Sequence, residues 1–494
     1  MARRLKTTAA FLCVLFSLCV VLSSCSNSSS ANKENNAEPL TYYHITPLSA
    51  CFKTLLQKKT GINVNFVSML NHGNDTLDLL LSSSSLPDMI EYNWDDYKYS
   101  PQWLIDYGYL YELNPLIDEF SPNFKRFLDE NPSLSKQIQS TRGKYYSYPH
   151  IRCDISLRSG ISGLVIREDW LTDLGLSVPV TIEDFENVLL AFKNEKNSVL
   201  PFVDYTAFNS ILSAFGIKHG FYIDDSGRVC YGPGEAAFKD ALRLLKRWHD
   251  MGLINSDGRM NQNIISQYLI SGKSGMAYGY AGSLLDTVNE ELKKENSLFR
   301  FCAIPNPVLT SGNKPISFDA EKAFTSSVAI TTSCEYPEIA AKFLDFGYSH
   351  EGQLFYNFGT DDDTVASEDL NGDDSLPYEY IRSYSTGPFL QIPEYYERYL
   401  HNDILKEASK IWKYSLRSDK VLPVLQLTNE EHEEAVFIER EITSYVNDMF
   451  FRFIIGAQDI EFFDSYIDTL EQMELKRLLE IYQAAYERYL NILD

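Results

Sequence analysis

From Leu40 onward, short apolar runs with the two-residue period of strands alternate with runs of helical period. That alternation restricts the fold to sheets covered by helices. Leu40–Ile45 reads as a strand, Pro47–Lys59 as a helix stopped at Thr60-Gly61, Ile62–Ser68 as a second strand and Met89–Tyr92 as a short third. A β-α-β-α opening builds a parallel sheet, because parallel neighbours need a crossover between them. Further on, helix ends are signposted. Thr181 to Asp184 offers a hydroxyl cap leading into Phe185–Lys193, Glu235–Asp250 repeats apolar residues at Phe238, Leu242, Leu245 and Trp248 before Gly252, and Pro337 opens another helix. The last third is predominantly helical. A capping box at Thr428 to Glu431 starts a long amphipathic helix through Ile442, Val446, Met449 and Phe453 to Gly456, and Ile460–Met473 and Leu475–Ile492 follow. Their apolar stripes at Phe463, Ile467, Leu470, Leu478, Tyr482 and Tyr486 read as core-facing surfaces.

The N-terminus has a different character. Arg3, Arg4 and Lys6 precede an apolar run, Ala9 to Leu22, that ends in Leu22-Ser23-Ser24-Cys25. The run is shorter than the roughly 20 residues of a membrane span and has the flanks of a secretory signal. Its ending resembles the bacterial lipobox, which implies residues 1–24 as a signal peptide, Cys25 as the lipid attachment site and residues 25–38 as a flexible tether. An acyl anchor holds a protein through about 0.8 kcal/mol per buried methylene, so the expected location is the extracytoplasmic face of the cell membrane. The alternative is an ordinary cleaved signal peptide. The formal charge, −24 for the whole chain and −27 without the leader's three cations, repels phosphate backbones and so argues against nucleic acid as a partner. Beyond the leader, Cys51, Cys153, Cys230, Cys302 and Cys334 are widely spaced. They suggest neither a zinc ribbon nor a disulfide framework.

Enzyme signatures occur only in fragments. Gly272-Lys273-Ser274 ends like a phosphate loop, but Gln267 stands where its first glycine belongs. His432-Glu433 begins like a zinc-protease helix without the second histidine, and Ser133 to Lys136 with Lys59-Thr60-Gly61 mimics a penicillin-binding site in reversed order. In the acidic stretch Asp361 to Asp374, Asp369, Asn371 and Asp373 alternate as calcium ligands do, yet Tyr380 occupies the twelfth position that calls for glutamate. The expectation is therefore no catalytic residue, no metal and no cofactor.

A binding signal remains. Tyr92, Asn93, Trp94, Asp95 and Asp96 follow directly on a predicted strand, and in open α/β sheets ligands sit beyond the carboxyl ends of strands. Flat rings beside carboxylates and amides suit sugars, whose C–H faces stack and whose hydroxyls hydrogen-bond. The competing reading is a tryptophan packed under a loop. Taken in order, Leu86-Pro87-Asp88-Met89-Ile90, Gly143-Lys144-Tyr145-Tyr146, Ile166-Arg167-Glu168-Asp169-Trp170-Leu171, Trp248 to Asn255, Lys273-Ser274-Gly275-Met276 and Ile481-Tyr482-Gln483 resemble family 1 extracellular solute-binding proteins, in their branch of roughly 500-residue lipoproteins. The resemblance implies a type II periplasmic-binding fold: two α/β lobes joined by hinge strands, with additional C-terminal helices. It places one lobe at 39–152 with 322–375 and the other at 153–321 with 376–494. Crossings fall near Tyr148–Ser162 and Phe324–Thr331. It further implies a monomer that captures a carbohydrate, an oligosaccharide by preference, between the lobes and delivers it to the permease subunits of an ABC importer. Trp94, Asp95, Tyr92 and Asn93 would serve from the first lobe and Tyr278 and Tyr280 from the second, while Arg167 and Trp170 are assigned to structure. A secreted lipoprotein glycosidase and a surface ligand sensor stand as alternatives.

Overall fold

Along Leu40–His44 every second side chain is buried, the pattern of a strand that packs one face against helices. A computed structural model describes residues 38–45, 48–69, 74–83, 86–152, 160–203, 207–255, 260–318, 323–359 and 387–493. The predicted leader, Cys25, Cys153 and the acidic stretch Asp361 to Asp374 lie outside these residues. The first sheet contains β1 (Leu40–His44), β2 (Val64–Ser68), β3 (Met89–Tyr92), β4 (Tyr148–Arg152), β10 (Phe324–Ile330) and β11 (Leu390–Gln391), in the order β11-β4-β10-β3-β1-β2. β1 runs parallel to β2 and β3, as the opening pattern predicts, and β10 runs antiparallel to both of its neighbours. One core below this sheet gathers Phe52, Phe124, Phe343 and Phe355; a second gathers Leu77, Trp94, Tyr97 and Leu104.

Register is pinned by the Leu86-Pro87-Asp88 segment. Asp88 Oδ2 accepts from the Thr41 N–H (2.7 Å) and Oγ1–H (2.8 Å), tying β3 to β1. On the other flank Thr331 Oγ1 donates to the Pro87 carbonyl (2.7 Å) and the Thr331 N–H to the Asp88 carbonyl (3.0 Å). These bonds fix which face of each strand is buried, since a one-residue slip would turn every side chain over.

The second sheet is small and antiparallel: β5 (Ser162–Arg167) lies between β8 (Met276–Tyr280) and β9 (Phe301–Ile304). The Ile182–Glu195 and Ala236–Asp250 helices pack on it, the first with the predicted cap, where Thr181 and Asp184 bond each other's backbone. Gly275 ends its loop under Phe192 and Trp170, where a Cβ would lie 2.5 Å from Phe192 Cδ2. Arg167 is 3% exposed; it is paired with Asp169 at 2.6 Å and its guanidinium sits 4.6 Å from the Trp170 ring centre. Both residues are structural, as expected. The C-terminal Asn429–Ile454, Phe463–Gln472 and Leu475–Leu493 helices complete this core, with Ile442, Val446, Met449 and Phe453 buried against Phe238 and Trp248. The first of them starts at the predicted Thr428 capping box. A hairpin, β6 (Phe221–Ile223) with β7 (Val229–Tyr231), lies beside them.

The chain passes between the two sheets after β4, before β10 and again after β11. The last passage follows Gln391, because β11 pairs with β4 in the first sheet, whereas the Asp403–Ser415 helix that comes after it packs on β5 and β9. There Trp412 covers Gly163, and its Nε1–H donates to the Leu164 carbonyl (3.2 Å). Only a residue without a side chain fits beneath that indole. Gly163→Val is expected to lower the free energy of unfolding by about 1–3 kcal/mol, read as a fall in the urea midpoint at unchanged slope.

His219 marks the join between hairpin and C-terminal helices, its ring 4.8 Å from that of Phe450 and 6.1 Å from that of Phe238. Among the described residues its Nε2 has no hydrogen-bond partner. Burial pushes its pKa down from 6.5 to about 4. The folded state thus holds the ring neutral, and the unfolded chain takes up a proton first as pH falls. This contribution is complete above pH 6.5 and is lost as pH drops toward 4, to a limit of about 3 kcal/mol. In urea titrations at pH 7.5 and at pH 4.5, His219→Leu should shrink the difference between the two. The buried Glu91 and Asp345, whose carboxyls burial pushes up, act in the opposite sense in both proteins and cancel in the comparison.

Candidate functional site

β3 delivers its last residue, Tyr92, opposite Ser327 of β10, the strand that has just returned from the second sheet. Its carboxyl end therefore faces the space between the lobes. The chain then turns through Asn93 and a short 3₁₀ turn, Trp94–Asp96. Tyr92 and Trp94 are buried, and Trp94 is 2% exposed with its Nε1–H donating to the Ser327 carbonyl (3.0 Å). The two rings meet edge to face at 5.7 Å. Asn93 and Asp96 are exposed, and the Asp95 side chain lies outside the described residues. The loop is held from behind: Tyr97 donates its hydroxyl to Asp78, and Lys98 Nζ reaches the same carboxylate at 2.6 Å.

On the second sheet, β8 ends in Tyr280 opposite Ser162, where β5 begins. Tyr278 is half-buried with its hydroxyl 3.1 Å from Ser162 Oγ, and Tyr280 is 39% exposed. These tyrosines, like the Tyr92–Asp96 segment, thus sit at the end of a sheet from which the chain crosses to the other lobe.

A cavity of about 290 Å³ opens between the lobes beside this loop. Asp96, Ser100 and Pro101 line it from the first lobe; Phe221, Glu439 and Tyr482 line it from the second. The extended stretch from Leu422 to Leu427 runs along its wall. Two bonds join the walls: His432 Nε2–H donates to the Tyr97 carbonyl (2.6 Å), and Ser100 Oγ meets Asn429 Oδ1. Tyr482 donates its hydroxyl to Glu439 Oε2 (2.6 Å) and packs edge to face on Phe221 at 4.7 Å. Burial first, then the Glu439 carboxylate, raise the Tyr482 phenol well above its ordinary pKa, with a further push from Asp96. One carboxylate from each lobe therefore acts on the same phenol. Rings beside paired acceptors can stack on a sugar face and receive its hydroxyl protons.

Of the residues expected from sequence, the Tyr92–Asp96 segment adjoins this cavity and contributes Asp96 to its lining. Phe221, Glu439 and Tyr482 were missed. Tyr482 belongs to a stripe with core periodicity, and its ring does pack that way; the usable signal is its polar tip, one helix away from Glu439 on the border of the Ile438–Ile442 stripe. His432, the start of the incomplete zinc-protease pattern, is a buried tie between the lobes. Among the described residues no group of three or more His, Cys, Asp or Glu side chains could hold a metal ion, and no helix is long and apolar enough to cross a membrane.

Comparison with known proteins agrees with this architecture. Residues 46–354 match the bacterial extracellular solute-binding protein family. The fructooligosaccharide ABC transporter substrate-binding protein FusA of Streptococcus pneumoniae is 23% identical over 480 residues, covering 88% of this chain and 86% of its own. Lipoprotein LipO of Bacillus subtilis is 23% identical over 506 residues, covering 93% and 94%. The crystal structure of alginate-binding protein AlgQ2 without calcium ion superposes with a TM-score of 0.76 at 24% identity, over 91% of this chain and 98% of that one. The fold is accordingly the two-lobed α/β arrangement of periplasmic-binding proteins with added C-terminal helices. The matched segment covers more than half of the length, and the chain belongs to the bacterial extracellular solute-binding proteins.

Proposed function

We propose that this protein is a lipid-anchored receptor that captures an oligosaccharide between its lobes and passes it, chemically unchanged, to the permease subunits of an ABC importer. The observation that carries the reading is the cavity in which Asp96 and Ser100 of one lobe meet Phe221, Glu439 and Tyr482 of the other. Its mixture of flat apolar rings and fixed acceptors is what a polyhydroxylated ring requires. The relatives support the same reading, FusA being named for fructooligosaccharide and AlgQ2 for alginate. In this proposal the exposed Asn93 and Tyr280 extend the contact surface beyond the cavity. Tyr92 and Trp94 set the loop's position from within the core, and Asp95 and Tyr278 are taken as further ligand contacts. The lobes, divided where the chain passes between the sheets after β4, before β10 and after β11 rather than at 375/376, hinge about those three passages, and one copy of the chain suffices.

Isothermal titration against a panel of neutral and acidic oligosaccharides, with recovery of the ligand afterwards, tests the reading. A saturable heat with one glycan class, an intact recovered glycan and an affinity lowered about 30-fold by Phe221→Ala or Tyr482→Ala are expected. Hydrolysis of the bound glycan, or no heat from any glycan, would count against it. The anchor has its own test. Cys25→Ser should move the protein from the membrane fraction to the medium and abolish labelling by radioactive palmitate, because the acyl chains attach at that thiol.

A further inference from the structure

The cavity at Asp96 and Tyr482 holds about 290 Å³, at the small end of ligand sites, which run from roughly 300 to 1,000 Å³. The seam between the lobes holds a second cavity, of about 260 Å³, and the two share their construction. The Leu475–Leu493 helix gives Tyr482 to the first and Ala485, Arg488 and Tyr489 to the second. Tyr482, Ala485 and Tyr489 are spaced i, i+3 and i+7. They therefore lie on one helix face, with the two tyrosines about 10 Å apart along the axis. Val424 and Gln426 border both cavities. In the first lobe, Pro101 lines the first cavity and Ser140 the second. The Ser140 hydroxyl donates to Gln102 Oε1 (2.5 Å), so those two walls are bonded neighbours as well.

We infer that the second cavity is a further sugar subsite, filled by the distal units of an oligosaccharide whose other end lies at Tyr482, so that the protein selects for chain length; this rests on the oligosaccharide reading above. Tyr489 supplies a ring for a sugar's C–H face. Gln137, Gln139 and Thr141, which line the same cavity, supply amides and a hydroxyl that both donate and accept, as sugar hydroxyls do. The border between the two compartments is braced from both lobes. Gln426 Nε2 donates to the Gln137 carbonyl (2.8 Å), while Arg488 Nη2 donates to the Gln426 carbonyl (3.3 Å) and pairs with Glu431 Oε2 at 2.5 Å. A short sugar reaches one compartment and a longer one reaches both. Each added unit then gains contacts on a surface that is already positioned, at little ordering cost to the protein.

The test is calorimetry with three linear series, each from trisaccharide to pentasaccharide: kestose to fructosylnystose, maltotriose to maltopentaose and cellotriose to cellopentaose. In the series that binds, affinity is expected to rise at least about tenfold from trisaccharide to pentasaccharide. Tyr489→Ala should cancel that rise and bring the two lengths within about threefold of each other. Hydrogen exchange on the unaltered protein needs no variant to fold. There the pentasaccharide, and not the trisaccharide, should slow exchange in residues 137–143 and 485–489. Equal affinity for the two lengths, or pentasaccharide protection confined to the first cavity, overturns the inference while the oligosaccharide reading stands. A Tyr489→Ala protein that loses affinity for both lengths equally overturns the role of Tyr489 as a distal contact. If no member of any series binds, the oligosaccharide reading itself falls, and this inference with it.

Discussion

A three-stranded sheet cannot bury its own faces, and in this protein the constraint falls on β5, β8 and β9. The shortage is met from a distant part of the chain. Ile442, Val446, Met449 and Phe453 join Phe238, Trp248 and Phe192 in one core, while Trp412 lies over the Gly163 backbone on the strand next to the crossing. The helix that completes the second lobe also carries Asn429 and His432 to the first lobe and Glu439 to the cavity. Core formation and site formation are thus parts of one packing event. A change that loosens the Asn429–Ile454 helix in its groove would act on stability and on binding geometry together.

The ordered motifs that made the family legible in the sequence are, in three dimensions, mostly joints. Asp88 holds β3 to β1, and Pro87 with Asp88 holds Thr331 of the returning chain. Gly275 is required because Phe192 and Trp170 close over it. Trp248 is buried with its Nε1–H on Glu186 Oε2 at 2.7 Å. Such positions tolerate little because each serves two elements at once, and that leaves a trace in the sequence whatever the ligand. The resemblance therefore reached the scaffold directly and the ligand only through the scaffold.

Elements with periodic patterns and caps were legible: β3 is found at Met89–Tyr92, and the helices begin at Thr181 and Thr428 where the capping boxes stand. Local rules decide those features. The site was only partly legible because it depends on which surfaces meet. Trp94 next to two carboxylates looks like a stacking platform in one dimension. Its indole instead points into the core, since Ser327, more than two hundred residues away, supplies a carbonyl for Nε1–H. Conversely, Glu439 and Tyr482 sit on helices whose stripes signal burial, and nothing near them in sequence tells that Asp96 will face them. Their convergence is a property of the passages between lobes, which no local pattern encodes.

Ligand-driven closure in a two-lobed receptor requires contacts that exist only when the lobes are together. Here the protein already makes some of these itself, through His432 to the Tyr97 carbonyl and Ser100 to Asn429. In the proposed receptor, such bonds would narrow the free-energy gap between separated and joined lobes before any ligand arrives. A solute that touches Asp96 on one side and Glu439 or Tyr482 on the other then adds its differential affinity to that gap, whereas a solute held by one lobe alone shifts nothing, however tightly it binds.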